Sequence, residues 1–229
     1  MKNERILLFP VLLLTAACST AGYESPQFTE RAQRHQIIAV LPFQMVLVGK
    51  MPRDLTSAQI ARIEEDESIA FQTAFFYSLL NQASVHRKHP IQVQIQSAEE
   101  TNRLLKAQGI GIRESWGMSA KSIARALRVD AVISTTVNKT RFLSGGESFA
   151  IDTGLLVINE VSEGRLAPFL PWGLSKTHDI WANSELIDSL DGSVMWQSDI
   201  SVTTDWRAPP DDIIAGFTRD LAKRFPYRG

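Results

Sequence analysis

The sequence predicts an α/β fold: a three-layer or two-layer sandwich built on a mixed sheet of at least five strands. Three observations predict it. Short apolar or alternating runs of strand length alternate with longer segments whose apolar residues recur every three or four positions. Two strand-like runs near the carboxyl end are joined by a turn at Asp191-Gly192, so the sheet cannot be wholly parallel. Hydrophobic residues are 44% and charged residues 21% of the 229, the balance of a globular chain with a sizeable core.

Each element has its own signal. Gln36 to Phe43 is a short continuous apolar run, the pattern of a strand buried on both faces, with Pro42 expected at its end because proline gives no ladder donor. Met45 to Arg53 is mixed. Thr56 or Ser57 can cap a long helix to about Gln82, with Ile69, Thr73, Phe76, Tyr77 and Leu80 as its inward stripe and Ala61 to Glu67 as a charged, solvated start. Ile91 to Gln96 alternates and reads as a strand. Ser97 caps a helix through Ala107 that Gly109 ends, and Ser119 opens another, closing at Arg128 with Ile123, Ala126 and Leu127 inward. Val129 to Val137 is β-branched and reads as a buried strand. Trp181–Leu190 and Ser193–Trp206 form the hairpin, with Trp196 as a core or rim anchor. Pro209-Pro210-Asp211-Asp212 opens a last helix with Ile213, Ile214, Phe217 and Leu221 inward, ended by Phe225-Pro226-Tyr227. Residues 141–178 fit this plan least: Phe149 to Asn159 can be a strand, and Gly164 to Leu174 is a Pro- and Gly-containing loop with apolar residues.

The amino terminus carries a different signal. Lys2 and Arg5 precede the apolar run Ile6–Leu14, and Thr15-Ala16-Ala17 are the small residues of a cleavage site. The run is about a dozen residues, short of the roughly 20 that span a bilayer. Cys18 is the only cysteine, so no internal disulfide can form. Leu13-Leu14-Thr15-Ala16-Ala17-Cys18 resembles a bacterial lipobox, in which the cysteine is diacylated and becomes the first mature residue; Thr15 stands where the pattern prefers Leu. The resemblance implies a signal peptide over 1–17, a palmitate-type anchor on Cys18 and, because Ser19 rather than Asp follows, the periplasmic face of the outer membrane. Residues 18–35 are polar and aperiodic and read as a flexible tether before a single domain over 36–229, with 141–178 as a variable insertion.

Removing residues 1–17 from 229 leaves 212, and takes away two of 24 basic and one of 25 acidic residues, a mature net charge of about −2. No basic surface for nucleic acid is indicated. No P-loop, G-x-S-x-G or H-E-x-x-H occurs, and Gly109-Ile110-Gly111 follows a helix rather than a strand, so it is a cap and turn. His86 and His89 flank Arg87 and Lys88, which repel a divalent cation; no metal, cofactor or catalytic set is expected. Trp116, Phe169 and Trp172 lie in Gly- and Pro-containing connectors, where large rings are less easily assigned to periodic burial, and are candidate partner contacts, although local packing is the commoner role.

Three segments together resemble a family of bacterial envelope lipoproteins that includes the curli secretion lipoprotein, the activator of penicillin-binding proteins and the amino-terminal domain of TolB. They are Ile37–Phe43, the helix–strand joint Ala124–Ile133 with its Leu127-x-x-Asp130-Ala131 pattern, and the hairpin Leu186–Trp196, similar to the family's strand, Asp, turn, Gly, strand, Trp signature. The resemblance implies an anticodon-binding-like α/β domain and a non-enzymatic role in assembly, secretion or activation through contacts with other envelope proteins. It also implies two alternatives to a scaffold: a homo-oligomer acting as a self-assembling secretion or pore component, for which 141–178 lacks a second alternating strand, and, from outside the family, a periplasmic hydrolase.

Overall fold

A computed structural model describes residues 22–48, 56–85, 93–140, 177–205 and 209–227. Among them are seven strands: β1 (Gly22–Glu24), β2 (Ile37–Val40), β3 (Gln44–Val48), β4 (Gln94–Gln96), β5 (Ala131–Thr140), β6 (Thr177–Asp188) and β7 (Val194–Asp205). The helices are α1 (Phe28–Ala32), α2 (Ser57–Val85), α3 (Ala98–Ala107), α4 (Ile112–Gly117), α5 (Ala120–Leu127) and α6 (Pro210–Ala222). The sheet runs β1-β7-β6-β5-β2-β4, with β3 also on β5. β2, β3 and β4 join it in parallel, while β5, β6, β7 and β1 are mutually antiparallel, so the sheet is mixed as expected.

β2 and β3 are one strand broken in the middle. Val40 is opposite Ile133 and Gln44 opposite Thr136, so four steps on one side match three on the other. That is a one-residue bulge at Leu41-Pro42-Phe43. Leu41 N still donates to Ile133 O at 2.9 Å; Pro42, with no N–H, occupies the position that needs none. The predicted strand end at Pro42 is therefore a pause, and β3, hidden in the mixed stretch after it, continues along β5.

Strand alternation splits the core between two faces. Ile38, Val40, Ala131, Ile133, Ala182 and Leu186 join Phe71 and Phe75 of α2 and Phe217 and Leu221 of α6 on one side. Ala39, Leu41 and Val132 meet Leu105 of α3 and Ile123, Ala124 and Leu127 of α5 on the other. Helices thus cover both faces of the β2–β5 half, an α/β sandwich of three layers there. The α5 reading needs one exchange: Ala124 is fully buried and Ala126 only half-buried. Ser97 and Ser119 cap α3 and α5 through the amides of Glu100 and Ser122, and Gly109, at φ 74°, follows the end of α3 as predicted. In α6, Phe217 and Leu221 are buried and Ile213 and Ile214 partly so.

The α2 stripe is rotated from the expected one. The residues facing the sheet are Ser68, Phe71, Gln72, Phe75 and Leu79, whereas Ile69, Tyr77 and Leu80 are 38%, 60% and 41% exposed. Both sets satisfy the spacing of three and four, so periodicity alone could not choose between them. Gln72 settles the phase by donating from Nε2 to Val40 O at 2.8 Å, and Phe71 meets Phe217 edge-to-face at 5.5 Å. Nor is the acidic start of α2 a simple solvated face. Glu67 is buried and takes a 2.9 Å bond from Lys139 of β5, and Glu64 pairs with Arg113 of α4.

Candidate functional site

The tether expected over 18–35 is folded in its described part. β1 pairs antiparallel with β7, Gly22 opposite Ser198 and Glu24 opposite Trp196, and Ser25 N donates to Met195 O at 2.9 Å. Phe28 of α1 is buried against Tyr227, ring centroids 5.4 Å apart, and Tyr227 packs on Phe225, itself edge-on to Trp196. This segment looked aperiodic because a three-residue strand and a five-residue helix are too short to show a period. Their positions are fixed by tertiary contacts instead.

Behind the aromatic packing lies a buried polar cluster that joins α1, the β6–β7 turn, the α5–β5 joint and the carboxyl end. Asp188, 3% exposed, closes β6. Its Oδ1 accepts from Leu190 N at 2.7 Å, and its Oδ2 lies 3.5 Å from both Arg31 Nη1 and His35 Nε2. Arg31 Nη1 also donates to Asp191 Oδ2 at 2.6 Å and to Ser193 Oγ at 2.8 Å. His35 Nδ1 hydrogen-bonds the Tyr227 hydroxyl. Asp130 Oδ2 accepts from the amides of Gln36 and Ile37 at 2.7 and 2.9 Å, pinning the entry to β2. Gly192, at φ 81°, supplies the left-handed corner that lets the turn carry Asp188, Asp191 and Ser193 to one side.

The electrostatics describe a lock rather than a reaction centre. Hydrogen bonds from Ser193, side chain and then backbone, and from Arg31 hold Asp191 well below the usual carboxylate range. The bond to Asp191 raises Arg31 in turn. Burial pushes the Tyr227 phenol up, reinforced by the charges of Asp188 and Asp130. A Tyr–His–Asp chain could in principle activate a hydroxyl, but that needs access to substrate, and Tyr227 and His35 are both buried.

Sequence reasoning passed over Arg31, His35 and Tyr227. The available signal was Arg31 and His35 four residues apart after an apolar Phe28, opposite the paired acids Asp188 and Asp191. Of the candidates it named, Trp116 sits on α4, not in a connector, half-buried against the core with the Arg113 guanidinium 5.1 Å from its ring centre. Cys18, Phe169 and Trp172 lie outside the described residues, as do the proposed strand over 149–159, His86 and His89. Among the described residues no cluster of three or more His, Cys, Asp or Glu could hold a metal, and no helix is long and apolar enough to cross a membrane.

The sequence matches no family model and no curated protein. Its backbone is similar to solved structures that include bacterial lipoproteins. Lipoprotein GNA1162 of Neisseria meningitidis aligns over 82% of this chain and 96% of its own, at 12% identity and a TM-score of 0.44. The PelC dodecamer of Paraburkholderia phytofirmans aligns over 82% and 85% at 14% identity and 0.40. The LpoB carboxyl-terminal domain of Salmonella enterica aligns over 78% and 94% at 11% identity and 0.36.

A second polar surface lies on the sheet face that, at the β6–β7 end, points away from α2 and α6. Asn183 Nδ2 donates to Asp199 Oδ1 at 2.9 Å across the β6–β7 pair, with Glu185 two residues along on the same face. Partial burial, and then the charge of Asp199, raise Glu185 above its ordinary value. A carboxyl raised in the folded state stabilises the fold below its unfolded value, and that contribution is lost as pH climbs through the folded one. Ionised Glu185 therefore costs stability at neutral pH. Glu185→Gln should raise stability at pH 7 by a small margin, up to about 0.5 kcal/mol because solvent screens this partly exposed group. The gain should fade near pH 4, where wild-type Glu185 is itself protonated; a gain equal at both pH values sinks this account.

Proposed function

We propose that this protein is a lipid-anchored accessory or scaffold protein of the bacterial envelope. It is held by Cys18 at the periplasmic face of the outer membrane and acts through contacts with other envelope proteins, without catalysis. The single observation that carries the reading is the closeness of the lipobox-like cysteine to the folded body. Cys18 is four residues before Gly22, the first residue of β1. At about 3.3–3.6 Å per residue, four residues reach at most about 14 Å. A diacylated Cys18 would press the body against the headgroups, because more than one acyl chain gives stable anchoring. The position of such a protein is then its main output: it presents one set of surfaces at fixed height to whatever assembles there.

Two linked measurements test the reading. A palmitate analogue fed to cells should label the wild type and not Cys18→Ala, and fractionation should move nearly all of Cys18→Ala from membrane to soluble periplasm. In-cell crosslinking followed by pull-down should recover envelope proteins with the wild type and much less with Cys18→Ala. Absence of label removes the anchor. A labelled protein that recovers no envelope partner and runs as a monomer removes the scaffold role.

A further inference from the structure

Among the described residues, α3 and α5 cover their face of the sheet as far as Val132 and Ile187. Over the next three rungs of β5, β6 and β7 no outward side chain is buried, although Ala182, Ser184 and Leu186, which alternate with them on β6, all are. Two aromatic rings stand on this open stretch: Trp181, on the third rung, is 43% exposed, and Tyr23 of β1, on the first, is 49% exposed. The register relates them. Tyr23 is opposite Gln197, Gln197 is opposite Glu185, and Glu185 is four residues from Trp181 along β6. Two strand spacings across and four residues along put their Cα atoms about 17 Å apart on a diagonal. Asp199 is at the midpoint of that line, with Asn183 on one side and Gln197 on the other. The 2.9 Å bond from Asn183 holds the central carboxylate in place before any ligand arrives. No lysine or arginine stands on these three rungs.

Aromatics at the two ends and polar groups in the middle reverse the order of a protein interface, whose aromatic anchors sit at a desolvated centre inside a polar rim. A bilayer-lying surface is excluded as well, since it carries Lys or Arg toward the headgroups. A sugar ring offers an apolar C–H face to an aromatic ring and hydroxyl or acetamide groups around its edge, and an elongated glycan repeats both at every unit. Side-chain amides donate and accept, and carboxylates accept, so Asn183, Gln197 and Asp199 complement those edge groups. Glu185 and Asp199, with no base beside them, turn away an acidic chain by charge. We propose that this face binds an uncharged glycan chain bearing acetamide groups, with one sugar stacked on Trp181 and another, a few units along, on Tyr23.

Calorimetric titration of the full protein, extracted in a sugar-free detergent, with the N-acetylglucosamine tetrasaccharide tests this without reference to Cys18 or to any protein partner, so its failure leaves the scaffold reading standing. The tetrasaccharide should bind about tenfold more tightly than the disaccharide, which is too short to meet both rings. Trp181→Ala and Tyr23→Ala should each weaken it by about tenfold with the thermal transition kept, and Trp181→Phe, which retains a stacking face, should recover most of the loss. Affinity should be the same at low and high salt, because the ligand has no charge to screen. Should an alanine variant fail to fold, the length and salt dependence of the wild type still decide the matter. A tetrasaccharide that does not bind overturns the proposal. So do folded alanine variants that bind as well as the wild type, a disaccharide that binds equally, or an affinity that collapses in salt.

Discussion

Replacing Asp188 with Ala is expected to lower stability by about 3 kcal/mol. The carboxylate is buried and has three neighbours to satisfy. Removing it leaves Leu190 N without its 2.7 Å acceptor, and a buried donor deprived of a charged acceptor costs roughly 1.5–3 kcal/mol. Breaking a fully buried ion pair costs about 3–5 kcal/mol, because the surviving charge is stranded. Arg31 escapes most of that, since its strongest bonds go to Asp191 and Ser193 and its side chain is 19% exposed. The loss therefore falls between the two limits and equals a melting point lower by about 6–12 °C for a chain of this size. Asp188→Asn, which keeps an oxygen for Leu190 N, should cost about 1 kcal/mol. Urea unfolding with unchanged slope checks both. Equal losses for Ala and Asn would mean that the Leu190 bond contributes nothing.

Most of the sheet was legible before the structure, and the reason is length. β5 and the β6–β7 hairpin are long, with β-branched or alternating patterns and a turn marked by Asp191-Gly192, and each lies within four residues of its expected bounds, β6 starting at Thr177 rather than Trp181 and β5 running on to Thr140. The joint Asp130-Ala131 was legible as a pattern, and the structure supplies its physics: Asp130 caps the two amides that start β2. What escaped was short or doubly apolar. β1, α1, β3 and α4 are six residues or fewer, below the length at which a period can be counted. α2 was found with nearly the right ends but turned on its axis, because Phe71, Phe75 and Leu79 and the outer set Ile69, Tyr77 and Leu80 are equally good stripes. The Arg31–His35–Asp188–Tyr227 cluster was illegible for another reason. Its members are brought together only when both ends of the chain meet over one hairpin, and no local spacing announces such a meeting.

Phe28→Ala is expected to free the amino-terminal segment while leaving the sheet intact. Truncating a buried Phe costs about 3–5 kcal/mol. That loss falls on a strand of three residues and a helix of five, which have no stability of their own. Phe28 belongs to the same buried cluster as Phe43, Phe71, Phe75 and Phe217, and its ring partner there, Tyr227, keeps its packing on Phe225 when Phe28 is truncated. Amides of 22–35 should lose protection against hydrogen exchange while those of β5 to β7 keep theirs, and trypsin should cut after Arg31 and Arg34. Phe28→Leu, retaining most of the volume, should show neither change to the same degree. If trypsin leaves Phe28→Ala as resistant as wild type, the segment is held by the polar cluster alone. The functional reach of the change follows from chain geometry. Freeing the segment moves the first fixed residue from Gly22 to about Gln36, so the maximum span from Cys18 grows from about 14 Å to about 60 Å. An anchored protein that works by presenting its surface at fixed height should lose its partners in Phe28→Ala even though it stays folded and lipidated. One that needs only to be somewhere on the membrane should keep them, and crosslinking of that single variant distinguishes placement from mere retention.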